Sequence, residues 1–256
     1  MDELVVPAEL RRNRRRDPVA IVEAAVWLIE HMAGHIGRSD LADVDVLDFG
    51  CGVRFTQAFL DRGVPIGHYV GVDAARDVID FLRANVSDPR LEHFHIDAQN
   101  NLYNPDGQPL GELTVPEIEG RQFDLICLFS VFTHLAPLDY VAMLRLLRRF
   151  VKPDGRLFYT LFINERTDGG HGYIDRLAGA LATANGPRMR EAIAAGAAQG
   201  EPAPFEDVDP NMPLRVALYS RRHALELIKG TGWKVLDVAP PDLHLQHHIV
   251  CAPEPR

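Results

Sequence analysis

An α/β fold built on a parallel sheet is what this chain predicts, and three observations predict it. Apolar, strand-like runs alternate with helical patterns, acids stand at the ends of those runs, and a Gly-Cys-Gly turn follows the first of them directly. The runs are Val44 to Phe49, Tyr69 to Asp73, Leu91 to Asp97, Phe123 to Phe129 and Leu157 to Phe162. Strands separated by helices cannot pair as hairpins, so they form a parallel sheet through right-handed crossovers, with helices on both faces. Ligands of such sheets lie at the carboxyl ends of the strands, and the residues there are the first candidates for function.

Asp17-Pro18 reads as a helix start, the acid as N-cap and the proline in the first turn. Ile21, Ala24, Ala25 and Leu28 then recur at helical spacing, and Gly34 and Gly37 close this covering helix before the first strand. After the fourth strand, Val141, Leu144, Leu147 and Val151 share a helix face that ends at Lys152-Pro153-Asp154-Gly155. From about residue 164 to 215 the alternation stops. An Ala-rich stretch from Ala178 to Ala198 reads as one or two helices, and Pro202, Pro204, Pro210 and Pro213 mark an irregular connection. This insertion after the fifth strand reads as a lid or a homodimer contact, or else as a solvated excursion without a role in binding. Ser220 caps a helix ending near Gly230, and Trp233 to Val238 and His247 to Ala252 read as the last two strands.

The first strand ends in Asp48, Gly50, Cys51 and Gly52. Glycines let the backbone approach a ligand and offer it N–H groups, and the carboxylate suits an ammonium group. A tight strand-to-helix turn reads equally well. Asp73, at the end of the second strand, suits a ribose diol, with a helix N-cap as the structural alternative. Asp97 suits an adenine amino group, with the Ala98 amide donating to the ring, or is a turn former. A three-glycine dinucleotide fingerprint would need a further Gly, which Val53, Arg54 and Phe55 do not supply, so S-adenosylmethionine fits better than NAD.

Taken together, these residues resemble the class I S-adenosylmethionine-dependent methyltransferases over about Val44 to Phe162, and again near Tyr219. The glycine-rich first motif matches Asp48 to Gly52, the ribose acid Asp73 with Ala74 beside it, the adenine-side acid Asp97, and the segment after the fourth strand Phe129 to His134. SVFTHL and the YNPDG segment at Tyr103 to Gly107 resemble a bacterial subgroup that methylates sugars and other small metabolites. The chain departs from the family where Arg54 stands in place of a third Gly, as after a one-residue deletion. The resemblance implies a Rossmann-like seven-stranded methyltransferase sheet, mostly parallel with an antiparallel C-terminal edge hairpin, in a single domain.

It also implies a cofactor site of Asp48, Gly50, Cys51, Gly52, Asp73, Ala74, Asp97, Ala98, Phe129 and Ser130. Hydroxyl methylation needs a base, and His134 is the candidate because the segment after the fourth strand faces the methyl group in related enzymes. A structural histidine bonded to a backbone carbonyl is the alternative. His171, Tyr173, Tyr219, His244 and Gln246 are candidates for the acceptor pocket. No metal is expected: His247 and His248 point to opposite faces of a strand, and His93 and His95 lack a third ligand.

A formal net charge of −9 at pH 7 argues against a nucleic-acid partner, and the Arg11 to Arg16 cluster reads as a solvated face or tail. No Asn-Pro-Pro-aromatic motif follows the fourth strand, which further disfavours base methylation. The apolar stretch from Ala20 to Leu28 is interrupted by Glu23, so neither a secretory signal nor a membrane span is expected. The three cysteines, Cys51, Cys127 and Cys251, read as reduced packing residues of a cytoplasmic protein. The leading expectation is a small-molecule O-methyltransferase acting on a saccharide or glycolipid precursor. A non-catalytic binding or scaffold protein and an NAD-dependent oxidoreductase are the alternatives.

Overall fold

The computed structural model describes residues 3–11, 17–101, 103–164, 203–208, 212–241 and 246–255. Contacts divide the chain into two compact units, Met1–Phe129 with Arg149–Phe158, and Ser130–Arg148 with Tyr159–Arg256.

The first unit opens with helix α1, Pro18–His35, whose N-cap Asp17 accepts from the Val19 amide as expected. Such a cap contributes about 1 kcal/mol. Val22, Ala25, Leu28, Ile29, Met32 and Ala33 make its buried stripe. Past its end Gly37 takes a φ of 72°, and the Arg38 amide turns back to the Ala33 carbonyl. Strand β1 is Leu41–Phe49, followed by α2 (Arg54–Asp61), β2 (Ile66–Asp73), α3 (Arg76–Asn85), β3 (Leu91–His95) and β4 (Phe123–Leu128). Strand β5, Val151–Asn164, is shared covalently by both units.

Within the first unit the strand order is β3-β2-β1-β4-β5, and β1 pairs parallel with both β2 and β4. Chain order therefore reverses between β1 and β4, the switch point where sheets of this kind hold ligands. The carboxyl-terminal parts of the central strands, Val46 to Phe49, Tyr69 to Asp73 and Leu125 to Leu128, are buried throughout, the near-continuous apolar pattern of a sheet covered on both faces.

The second unit carries helix α4, Pro137–Leu147, which buries Tyr140, Met143, Leu144, Leu146 and Leu147. Here the end of β5 runs parallel to β7 (Ala217–Ser220), which pairs antiparallel with β6 (Phe205–Asp207). Helix α5, Arg221–Ile228, starts from Ser220, whose hydroxyl accepts from the His223 amide. Strands β8 (Trp233–Ala239) and β9 (His247–Pro253) form the expected antiparallel pair, and β9 also pairs with β5.

The α/β class, the parallel core and the antiparallel ending agree with the sequence reading, and three local expectations change. Strand β3 stops at His95, so Asp97 lies in the following loop rather than on the strand. Lys152 to Gly155 is part of β5, not a turn closing α4. A Cβ on Gly155 would meet the Phe123 and Asp124 carbonyls at 2.9 Å, so that glycine lets the two strands approach where sequence suggested a break. The stretch read as irregular contributes β6, and the short β7 follows it, bringing the strands among the described residues to nine. The Ala-rich part of the insertion, with His171 and Tyr173, lies outside the described residues, as do Arg12 to Arg16 and His244.

Candidate active site

The turn after β1 owes its shape to two left-handed glycines, Gly50 at φ 85° and Gly52 at φ 53°. Its amides serve the protein itself. The N–H groups of Gly50 and Cys51 donate to the Val72 carbonyl at 2.7 and 3.1 Å, and Gly52 donates to Asp73 Oδ2 at 2.9 Å. This corrects the expectation that those three amides are held out to a ligand: they fasten the turn to the end of β2, and the glycines provide closeness rather than donors.

Asp73 is the centre of that fastening. It is buried, and its second oxygen accepts from the Ala75 amide at 2.9 Å, just before α3. The carboxylate thus joins two strand ends, a structural role that sequence posed only as an alternative. Ala74, half-buried, lies between the two bonded positions. Asp97 is exposed, and its carboxylate takes the side-chain amides of Asn104 and Gln108, bonds that hold its pKa down and fold the loop carrying Tyr103 and Pro105 back on itself. Ala98 beside it is buried.

Asp48 lies at the carboxyl end of β1, 2% exposed, and accepts from the Tyr69 hydroxyl at 2.7 Å. Burial pushes its pKa up from 3.8 to about 6, against the opposing pull of the Tyr69 hydrogen bond and the nearby charge of Arg54. Tyr69, Gly71 and Asp73 share one face of β2 by the period of two. Each meets the β1 turn: Tyr69 through Asp48, Asp73 through Gly52, and Gly71 by leaving room for Cys51. A Cβ at Gly71 would stand 2.9 Å from the Cys51 sulfur. Sequence reading missed Tyr69 and Gly71, although the alternation along YVGVD carries the signal. The half-buried Arg54 guanidinium lies 4.9 Å from the ring centroids of both Phe55 and Phe129.

In the second unit, the segment after β4 begins with Ser130 at φ 60°, a left-handed conformation that costs a non-glycine residue on the order of 1 kcal/mol or more. Its amide donates to Thr160 Oγ1 at 2.9 Å, and its hydroxyl meets the Gln246 side chain at 2.9 and 3.1 Å. His134 ends the short 3-10 turn Phe132–His134 and donates from Nδ1 to the Leu214 carbonyl at 3.2 Å. Leu214 is the other left-handed non-glycine among the described residues, at φ 58°, and Asp207 accepts from its amide. Tyr219 is not where an acceptor contact belongs. It is fully buried, its hydroxyl donates to the Leu135 carbonyl at 2.6 Å, and burial pushes its pKa up, so it anchors the chain behind His134. Thr160 and Leu214 went unnoticed in the sequence because their partners lie far away along the chain.

His93 bonds Thr56 in the core, with burial lowering its pKa to about 4, and His95 meets Arg76. Among the described residues no group of three His, Cys, Asp or Glu side chains is placed to hold a metal ion, and no helix is long and apolar enough to cross a membrane.

These features accord with the family comparison. A family model described as a methyltransferase domain matches residues 10–237. The chain belongs to this family of methyltransferase domains. Solved structures share the fold at low identity. A protein from Pyrococcus horikoshii OT3 is 15% identical, with 96% of this chain and 94% of that one covered at a TM-score of 0.53. The 1,6-didemethyltoxoflavin-N1-methyltransferase of Burkholderia thailandensis, crystallised with its namesake compound and S-adenosylhomocysteine, is 16% identical, covering 92% and 79% at 0.52. The mitomycin 7-O-methyltransferase is 18% identical, covering 94% of this chain and 56% of that chain at 0.54.

Proposed function

We propose that this chain transfers a methyl group from S-adenosylmethionine to a hydroxyl of a small molecule, with saccharides and glycolipid precursors as the first acceptors to try. Bound S-adenosylmethionine supplies an electrophilic methyl carbon on a sulfonium. The chain's own residues hold the donor and prepare the acceptor. Asp48 faces the ammonium group, and Gly50, Cys51 and Gly52 bring the backbone close. Asp73 takes the ribose: a carboxylate has about four acceptor sites, so holding the Gly52 and Ala75 amides does not exhaust it. Asp97 and Ala98 serve the adenine edge, while Ala74, Phe129 and Ser130 complete the cofactor residues.

The observation that carries the hydroxyl acceptor is the bond from His134 Nδ1 to the Leu214 carbonyl. A backbone carbonyl only accepts, so the proton stays on Nδ1 and the lone pair on Nε2, the tautomer a general base requires. Gln246, which holds Ser130, remains on the acceptor side. Two structural neighbours bear small-molecule methyltransferase names, one at oxygen and one at nitrogen, which supports a small acceptor and leaves the atom to His134. The three cysteines, free and buried, fit a reducing compartment such as the cytoplasm.

The test is methyl transfer from labelled donor to a panel of saccharides, phenols, carboxylic acids and amines. The expected product is a methyl ether. Methylation of amines alone overturns the hydroxyl assignment, and donor binding without transfer to any acceptor favours the scaffold reading.

A further inference from the structure

The proposed donor site contains a cation that the preceding reading leaves unused. Arg54 stands where the family has a third glycine, in the first turn of α2, half-buried. Its guanidinium carbon is 4.9 Å from the Phe55 and Phe129 centroids, and those rings lie 5.3 Å apart at 83°. The three points make a nearly equilateral triangle, so the rings flank the cation on adjacent sides rather than sandwiching it. Cation–π contacts of this kind fix a long side chain that would otherwise sample many rotamers. Phe129 follows β4 directly and Phe55 follows the β1 turn, so the charge is held at the carboxyl ends of the two strands that bound the switch point.

A positive charge at that place selects for an anion. The turn's own amides do not offer an equivalent, since Gly50, Cys51 and Gly52 donate to the end of β2. Asp48 is the acid whose charge Arg54 influences, and it is already engaged with Tyr69. A cation and a buried acid within one short turn match the two charges of an α-amino acid.

We propose that Arg54, cupped by Phe55 and Phe129 at the β1–β4 switch point, anchors the carboxylate at the amino-acid end of the methyl donor while Asp48 takes the ammonium. The assignment rests on the donor reading above. It makes Arg54 a substitute for the missing glycine: a side-chain charge replaces backbone hydrogen bonding at that end of the ligand.

Calorimetric titration with two ligands tests it, S-adenosylhomocysteine, which carries the amino-acid end, and 5′-methylthioadenosine, which lacks it. Arg54→Met is expected to weaken S-adenosylhomocysteine by about thirtyfold or more, as for loss of a charge-assisted bidentate pair, and methylthioadenosine by less than about twofold. Arg54→Lys, which keeps the charge, is expected to show a smaller loss, about fivefold, for S-adenosylhomocysteine alone. It supplies the test if the Met variant does not fold. Equal losses for both ligands, or none for either, overturn the anchor and leave the donor reading standing. Failure of the unaltered protein to bind either ligand overturns both.

Discussion

The turn after β1 and the segment after β4 solve the same problem, holding polar groups at the end of a strand, by opposite means. The turn is held by its immediate neighbour in the sheet: Gly50, Cys51 and Gly52 are tied to Val72 and Asp73, and Asp48 to Tyr69. The post-β4 segment is held from far along the chain, Ser130 by Gln246, His134 by Leu214, and Leu135 by Tyr219. It also carries a left-handed Ser130 where the turn uses glycine. A cradle held by neighbours is rigid at small cost, whereas a segment held from a distance depends on elements that the rest of the fold must deliver.

The comparison breaks first at His134. His134→Ala is expected to lower turnover a hundredfold or more, the range of general-base catalysis, with donor affinity unchanged by calorimetry. Full activity at neutral pH would leave the Leu214 bond as the residue's whole purpose.

Next comes Asp73→Ala, which strips the acceptor from two backbone amides. Stability should fall by about 2–4 kcal/mol in urea titration, and donor affinity with it. A variant as stable as the parent would mean that the turn does not depend on this carboxylate.

Asp48 gives a pH signature. Its folded pKa, about 6, lies above the usual 3.8, so the folded state binds more protons between those values. Asp48 therefore favours folding below about 4, and that stability is lost as pH rises through about 6, on the order of 3 kcal/mol in all. The stability difference between the parent and Asp48→Asn should trace that slope. Donor affinity of the parent should weaken below about pH 6, where the acid loses the charge that meets an ammonium.

The smallest expected effect sharpens the contrast. Tyr219→Phe removes the bond to Leu135 and should cost about 1 kcal/mol of stability, leaving KM for the acceptor unaltered. A raised KM with unchanged stability would return Tyr219 to the acceptor pocket.

The same contrast explains what the sequence made legible. The glycine turn, the acids at the ends of β1 and β2, and the Asp17 and Ser220 caps follow from local chemistry, and each could be read in place. That the turn's amides face inward could not, because it depends on how Val72 and Asp73 meet the turn across the sheet. Tyr219 was misplaced for a related reason: an aromatic hydroxyl reads the same in a pocket or in a core until its partner, Leu135, is known. Lys152 to Gly155 looked like a helix ending because Pro and Gly usually break strands, and the close approach of Gly155 to the β4 carbonyls left no trace in composition.

Gly71 ties two distant positions into one choice. A Cβ there would stand 2.9 Å from the Cys51 sulfur, 3.0 Å from the Cys51 Cβ and 3.1 Å from Tyr69 Cε1, so Gly71 cannot be enlarged alone. Ala at 71 calls for Gly at 51 and a shift of the Tyr69 ring, and a mutational library that varies position 71 by itself would score it as intolerant while missing the compensated combination. The size of one strand residue thereby sets which side chain the glycine turn is able to carry.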